Sequence, residues 1–536
     1  MDERLRVFGT EFLQYTLCVA NEIEEGGQLS PAQEEAAQVL LESINKTSSQ
    51  DPLTRWLNLT FIATEHIPSY GMSRANVLRA HCGGELQQID KPSGRLAEML
   101  LTFGRDAYPG YLIKEPETTH GVSPMPMRAL TAARKDFPEF CREVLSDEKL
   151  KELFPGLAGT DIPDELSGIL NVQSLLSYPV GGMEPVQLLS LADDLIKNSF
   201  QRCQLDRDIS TARFLSCLSS LLEDARSLAA GDTIDVPIIV GLGNVAFEEG
   251  MDLAELSYGL LRARRPEDAE FDLNMNSAGV VLVCHAKSRV LSKRPASEFE
   301  SFDYSQHSKE VEEWHREVRS LVDSVCLGLM LASPGERPGS AFPVSISTVH
   351  PFSTFSNHIY SRRPEGSRLP PITLTEEFAS QADDWINRVI KGHPQNLRVA
   401  MRRVISAAGT RSDPVDSLVD AVLAWENMFS SSPETKLRVC GSLAILLEDG
   451  DYEARNRLYG ELGKIYNTRS AIVHGKSKEP SHSVVANHRD RAIVIALQAF
   501  RKLYGRPQIL NAKDSDSRGQ MVMLGASLND VATSQG

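Results

Sequence analysis

The chain has 536 residues, 41% of them hydrophobic and 24% charged, with a formal net charge of −16. At ~100–200 residues per domain, that length predicts about three domains with ample apolar material for a core. The acidic balance excludes a generally basic nucleic-acid coat, no apolar run of about 18 residues predicts a membrane span, and the first residues lack the basic region of a signal peptide.

The first ~200 residues read as mostly helical. "LSPAQEEAAQVLLESI" opens with Ser30 as an N-cap, Pro31 at the first helical position and Gln33 completing a capping box. "SGRLAEMLLTFGR", "PVQLLSLADDLIKNSF" and "ISTARFLSCLSSLLEDARSL" also carry helical spacing, separated by Pro and Gly clusters. From about Thr233 the pattern changes. "IDVPIIVGLGNVAF", "AGVVLVCHAKSRVL" and "AFPVSISTVHPFSTFS" are β-branched runs of strand length, and a long helix, "SKEVEEWHREVRSLVDSVCLGLMLA", precedes the last of them. "RRPEGSRLPP" reads as a linker or exposed loop. After about Gln395 the chain is helical again, with four or five helices and short loops, the pattern of a bundle.

The expected organisation is therefore α+β and multidomain. Residues 1–230 form a mostly helical N-terminal region and 231–395 an α+β middle region. Residues 396–506 form an all-α helical bundle, and 507–536 a loosely ordered tail without periodicity.

Eight cysteines stand singly, at positions 18, 82, 141, 203, 217, 284, 326 and 440, with no CxxC pair. That predicts reduced thiols, a cytoplasmic location and no zinc knuckle. Charge is uneven. Residues 398–502 hold 16 Lys and Arg against 12 Asp and Glu, while the remainder is strongly acidic. The C-terminal segment is the part that would tolerate a polyanion.

One stretch there, "KIYNTRSAIVHGKSK", stands out. On a helix over 452–474, Leu458, Leu462, Ile465 and Ile472 share a face, and Arg469 lies in that same face. A buried guanidinium needs a partner, and Glu426 in "LAWENMF" is the candidate. His474 is the last helical residue if Gly475 is the left-handed stop. It lies about 140° around the helix from Arg469. A helix-end distortion or a second copy of the helix would bring the two onto one phosphate. From spacing alone, an interhelical tie at Arg469 and a helix-end cation at His474 account for both residues.

The same residues carry a resemblance. "DAVLAWENMF", "ETKLRVCGSLAILL" and above all "LGKIYNTRSAIVHG" resemble the Apea-like HEPN family. Its "lYdxRSxxVHG" pattern is met by Tyr466, Arg469, Ser470, Val473, His474 and Gly475, over about the last quarter of the chain. The resemblance implies a helical bundle that dimerises and a metal-independent ribonuclease with an R-x4–6-H motif. Arg469 and His474 would then be the catalytic pair. Ser470, Lys476 and Lys478 would position RNA, and Glu426, Tyr466 and Gly475 would be structural partners. Active HEPN ribonucleases often carry Asn, Asp or His after the arginine, where Ser470 stands here. A HEPN subgroup that modifies nucleotides has tyrosine two residues past the histidine, where Lys476 stands.

Other constellations read as structural. "GLGN" at 241–244 lacks the further residues of a phosphate loop and predicts a plain turn. His350 and His358 have no acidic ligand nearby, so no metal site is expected. Arg398, Arg402 and Arg403 lie on one helix and read as a solvated face. Two functions remain in play. One is an RNA-cleaving enzyme without metal or other cofactor, a regulated effector of defence or stress whose N-terminal regions take a regulatory partner or ligand. The other is a non-catalytic dimerisation or RNA-binding module built on the same bundle.

Overall fold

The computed structural model describes residues 3–19, 29–47, 50–89, 94–114, 116, 131, 134–157, 176–179, 186–206, 208–294, 304–333, 335, 338–352, 357–361, 369–430, 434–448, 450–474 and 480–525. The chain divides into two compact units. One comprises Met1–Pro237, Ala286–Glu312 and Thr348–Asn357, the other Ile238–His285, Glu313–Ser347 and His358–Gly536. Residues 231–395 contribute to both.

The first unit is mainly helical. Its helices are α1 (Thr10–Leu17), α2 (Pro31–Thr47), α3 (Pro52–Thr64), α4 (Arg74–His81), α5 (Arg95–Tyr111), α6 (Phe137–Ser146), α7 (Leu191–Asp206) and α8 (Thr211–Ala230). The capping box of α2 forms as its sequence predicts. Ser30 N–H donates to Gln33 Oε1 at 2.8 Å, and Gln33 N–H donates to Ser30 Oγ at 3.3 Å. Asp51 caps α3 ahead of Pro52, and Ser210 caps α8, which stops at left-handed Gly231. Helix α5 packs against α3, α6, α7 and α8. Gly104 permits its close approach to α8, because a Cβ there would lie 2.3 Å from Leu218 Cδ2. Phe103, Tyr108, Phe140 and Phe214 fill the surrounding core.

Beneath those rings lies a polar knot. Asp106 of α5 is buried and accepts from Ser73 N–H at 3.0 Å and Arg134 Nη1 at 2.6 Å, with His66 Nδ1 2.8 Å away. Arg134 also pairs with Asp136 at 2.9 Å and lies over the Phe103 ring.

The second unit joins a sheet to the C-terminal bundle. The sheet has six strands in the order Asn357–Ser361, Phe342–Thr348, Ile234–Gly243, Val280–Ser288, Gly259–Ala263 and Leu253–Leu256. The last three run antiparallel, with Leu261 opposite Leu282 and Ala254. The "GLGN" segment is a strand end and turn. Gly241 and Gly243 sit against Val344 and Phe342, where a Cβ would come within 2.8 and 2.5 Å, and Asn244 turns the chain at φ 61°. Asn244 Nδ2 donates to Ser340 Oγ and to the Leu369 and Pro370 carbonyls.

The helices of this region are α9 (Tyr304–Ala332), α10 (Glu376–Gly392), α11 (Arg398–Ile405), α12 (Pro414–Phe429), α13 (Thr435–Leu447), α14 (Tyr452–Val473), α15 (His482–Tyr504), α16 (Pro507–Leu510) and α17 (Ser515–Met523). Asp413 caps α12 with Pro414 at its first position, and Asp451 caps α14. Trp425 of α12 is fully buried, and its indole N–H donates to the Ala492 carbonyl of α15 at 3.1 Å.

Two features differ from the sequence reading. Where residues 507–536 lack periodicity and read as a loose tail, 507–525 carry α16 and α17. They are held by a specific polar anchor in place of an apolar stripe. Arg518 is buried and donates to the Met428, Ile509 and Leu510 carbonyls and to Asn396 Oδ1. Gly519 lets α17 lie against α12, since a Cβ there would meet the Phe429 carbonyl at 2.1 Å. Residues 526–536 lie outside the described residues. Nor is the face of Arg402 and Arg403 merely solvated: Arg402 pairs with Asp323 at 3.4 Å and Arg403 with the buried Asp420. The "RRPEGSRLPP" loop falls largely outside the described residues.

Candidate functional site

Helix α14 builds the site. Leu458, Leu462 and Ile465 are buried on one face, and Tyr466 and Thr468 join them. The stripe weakens after Arg469, for Ile472 is only half-buried. Arg469 projects beside α12. Its Nη2 donates to Glu426 Oε2 at 3.2 Å, and the Tyr466 hydroxyl donates to Glu426 Oε1 at 2.5 Å. The Arg469 guanidinium carbon lies 6.0 Å from the centre of the Tyr466 ring. Arg469 and Glu426 side chains are 15% and 16% exposed, so the pair is largely but not wholly removed from water. Burial, then the hydrogen bond and charge of Glu426, push the Tyr466 hydroxyl well above its ordinary pKa, so it stays a donor. Arg469 Nε is buried and has no hydrogen-bond partner among the described residues.

Thus Glu426, Tyr466 and Arg469 come together, as the sequence predicts for the Arg469–Glu426 tie. His474 does not join them. It caps the end of α14, its backbone N–H bonding the Ser470 carbonyl at 3.1 Å, and its exposed ring makes no hydrogen bond or ion pair among the described residues. Ser470 is half-buried one residue past Arg469. Gly475, Lys476 and Lys478 lie outside the described residues.

The structure adds a histidine that sequence reading missed. His488 of α15 places Nδ1 2.9 Å from Thr468 Oγ1, and that hydroxyl donates its proton to the Lys464 carbonyl at 3.1 Å. Thr468 can then only accept, so His488 Nδ1 carries the proton and Nε2 the lone pair. Burial lowers the His488 pKa and keeps the ring neutral near pH 7. No local motif could signal this contact, which joins residues 20 apart on two helices. Arg491 fixes the same helix pair through two hydrogen bonds to Glu461, at 2.8 and 3.2 Å.

His350 is buried and its Nδ1 accepts from Phe352 N–H at 3.3 Å, while the His358 side chain lies outside the described residues. Among the described residues no group of three His, Cys, Asp or Glu side chains could hold a metal ion, and no helix is long and apolar enough to cross a membrane.

Fold and site together define a multidomain α+β chain with an all-α C-terminal bundle in which Arg469 is held against Glu426. No protein-family model, curated protein or solved structure matches the chain.

Proposed function

We propose that this chain is a metal-independent endoribonuclease of the HEPN type, with Arg469 and His474 as its catalytic pair. The carrying observation is the contrast at the end of α14. A guanidinium is oriented by Glu426 through one nitrogen, and an unpartnered imidazole faces solvent five residues on. The resemblance of "YNTRSAIVHG" to the HEPN pattern supports the same assignment.

In this reading a phosphodiester of RNA lies at Arg469, which stabilises the charge building on the phosphorus oxygens. The ribose 2′-oxygen attacks phosphorus and the P–O5′ bond breaks. His474 takes the 2′-hydroxyl proton or delivers one to the departing 5′-oxygen. The products are a 2′,3′-cyclic phosphate and a free 5′-hydroxyl. Ser470 and the lysines at 476 and 478 hold the backbone. A homodimer through the bundle would supply the second copy that lets an arginine and a histidine converge.

Purified full-length protein incubated with mixed RNA in EDTA tests this. Cyclic-phosphate and 5′-hydroxyl ends, with DNA spared, support it. Cleavage that disappears with EDTA, or that takes DNA equally, rejects it.

A second reading has its own observation. The Glu426–Tyr466–Arg469 group is complete within one chain and largely buried. That suits a structural tie inside a non-catalytic dimerisation or RNA-binding module. Binding of RNA without cleavage, with any divalent ion present, would favour it.

A further inference from the structure

The bundle holds a second cationic group, which shares no residue with the Glu426–Arg469 site. After α11 the chain widens into a π-turn, Ser406–Thr410, closed by Arg411 N–H on the Ser406 carbonyl at 3.1 Å. Such turns are rare and recur at functional sites. This one is made of small residues, and its Ala407 and Ala408 line a cleft together with Leu369, Arg411, Ser412, Arg489, Asp490 and Ile493. The cleft opens to solvent and its enclosed part has room for about one water, so an oxyanion would lie across its mouth rather than inside it.

Its two arginines are prepared in different ways. Arg489 is 5% exposed, and both Nε and Nη2 turn to a single oxygen, Asp490 Oδ1, at 2.8 and 2.5 Å. Its Nη1 has no hydrogen-bond partner among the described residues. Arg411 is held by Nε on Oδ2 of the buried Asp420 at 2.9 Å, a carboxylate that also takes Arg403 and Ser406. Among the described residues the Arg411 terminal nitrogens make no hydrogen bond, and their ion pair to Asp416 is 3.9 Å long. Two guanidinium groups, each held by a carboxylate, therefore line one small cleft together with Ser412. Fixed, forked donors suit an anion with several oxygens.

We infer that the cleft between Arg411 and Arg489 binds a phosphate group. The chemistry is the same whether that group is free phosphate, the terminal phosphate of a mononucleotide or a backbone phosphate of RNA. The walls carry Asp490 as well, but it is spent on Arg489, and the lining keeps one positive charge in excess.

Calorimetric titration of the full chain with inorganic phosphate at low salt tests the inference. Saturable binding that weakens with added NaCl is expected. Ser412 is exposed, so S412D adds a negative charge at the rim without disturbing the core, and R411Q removes one donor pair. Each is expected to weaken phosphate binding at least tenfold, with S412D keeping the wild-type melting temperature. Adenosine monophosphate and a short single-stranded RNA, titrated against the same three proteins, identify the carrier. The one that binds more tightly than inorganic phosphate and loses that advantage in S412D is the source. If the wild type binds none of the three, or if S412D and R411Q bind as the wild type does, the inference is wrong.

Discussion

Tyr466 and Arg469 divide one carboxylate between them: the hydroxyl occupies Glu426 Oε1 and the guanidinium occupies Oε2. They stand about one turn apart on the same face of α14, so one carboxylate of α12 is tied to α14 through two residues. Removing Arg469 leaves Glu426 with the hydroxyl alone. Arg469→Ala is expected to cost about 1–3 kcal/mol, less than the ~3–5 kcal/mol of a fully buried pair because both side chains keep some exposure. Tyr466→Phe deletes a charge-assisted hydrogen bond and should cost ~1–2 kcal/mol. Urea unfolding of the two variants measures both. Unchanged midpoints would show that the carboxylate finds other partners.

His474 gives the opposite signature. Its ring is exposed and makes no hydrogen bond or ion pair among the described residues, so His474→Ala should change stability by less than ~0.5 kcal/mol. If the cleavage reading holds, the same change abolishes activity. Arg469→Lys should abolish it too, since an ammonium cannot present the planar fork. Stability and end-mapped cleavage, measured on the same preparations, separate the two roles. Full activity in His474→Ala removes it from the mechanism.

Much of this was readable in the chain, and the reasons differ residue by residue. Ser30 and Gln33 announce their capping box because both partners lie within one turn of sequence. Arg469 announces a partner because a charge in an apolar stripe has no other way to be buried, and Glu426 is a carboxylate on a facing helix. The anchoring of α17 was not readable. Arg518 looks like a surface residue until its acceptors are seen, and they are backbone carbonyls from Met428, Ile509 and Leu510, which leave no mark in a sequence. The Thr468–His488 contact and the Arg411–Arg489 cleft were hidden for a related reason. Both depend on how helices cross, and the cleft also on a π-turn that breaks the 3.6-residue period used to place side chains.

In the first unit, Arg134 sets up an internal comparison. It pairs with two aspartates in different surroundings: Asp106 is 4% exposed and Asp136 is 40% exposed. Asp106 also takes the Ser73 N–H. Asp106→Ala is expected to cost ~3–5 kcal/mol, because it strands a buried guanidinium edge and an amide donor. Asp136→Ala should cost about 1 kcal/mol or less, since water can replace the carboxylate. Equal losses, read by chemical denaturation, would mean that burial does not govern this cluster.

Buried imidazoles should make the protein acid-sensitive well above the carboxylate range. His350 is fully enclosed, and burial, with a smaller push from Arg202, lowers its pKa to about 3. His393 is lowered to about 4, mainly by burial, with its Nδ1 2.7 Å from the Tyr504 hydroxyl. In the unfolded chain both titrate near 6.5. Between that value and the folded one, the unfolded state holds protons that the folded state refuses. Stability therefore rises with pH across this window, and falls as pH drops from about 6.5 towards 3–4. The loss should be on the order of a few kcal/mol by pH 4.5. His350→Gln keeps a polar side chain that does not titrate, so it should lower stability at pH 7 yet flatten the slope between pH 6.5 and 4.5. Urea midpoints at pH 7, 5.5 and 4.5 for both proteins decide the matter. Parallel curves for wild type and His350→Gln would assign the acid sensitivity to other groups.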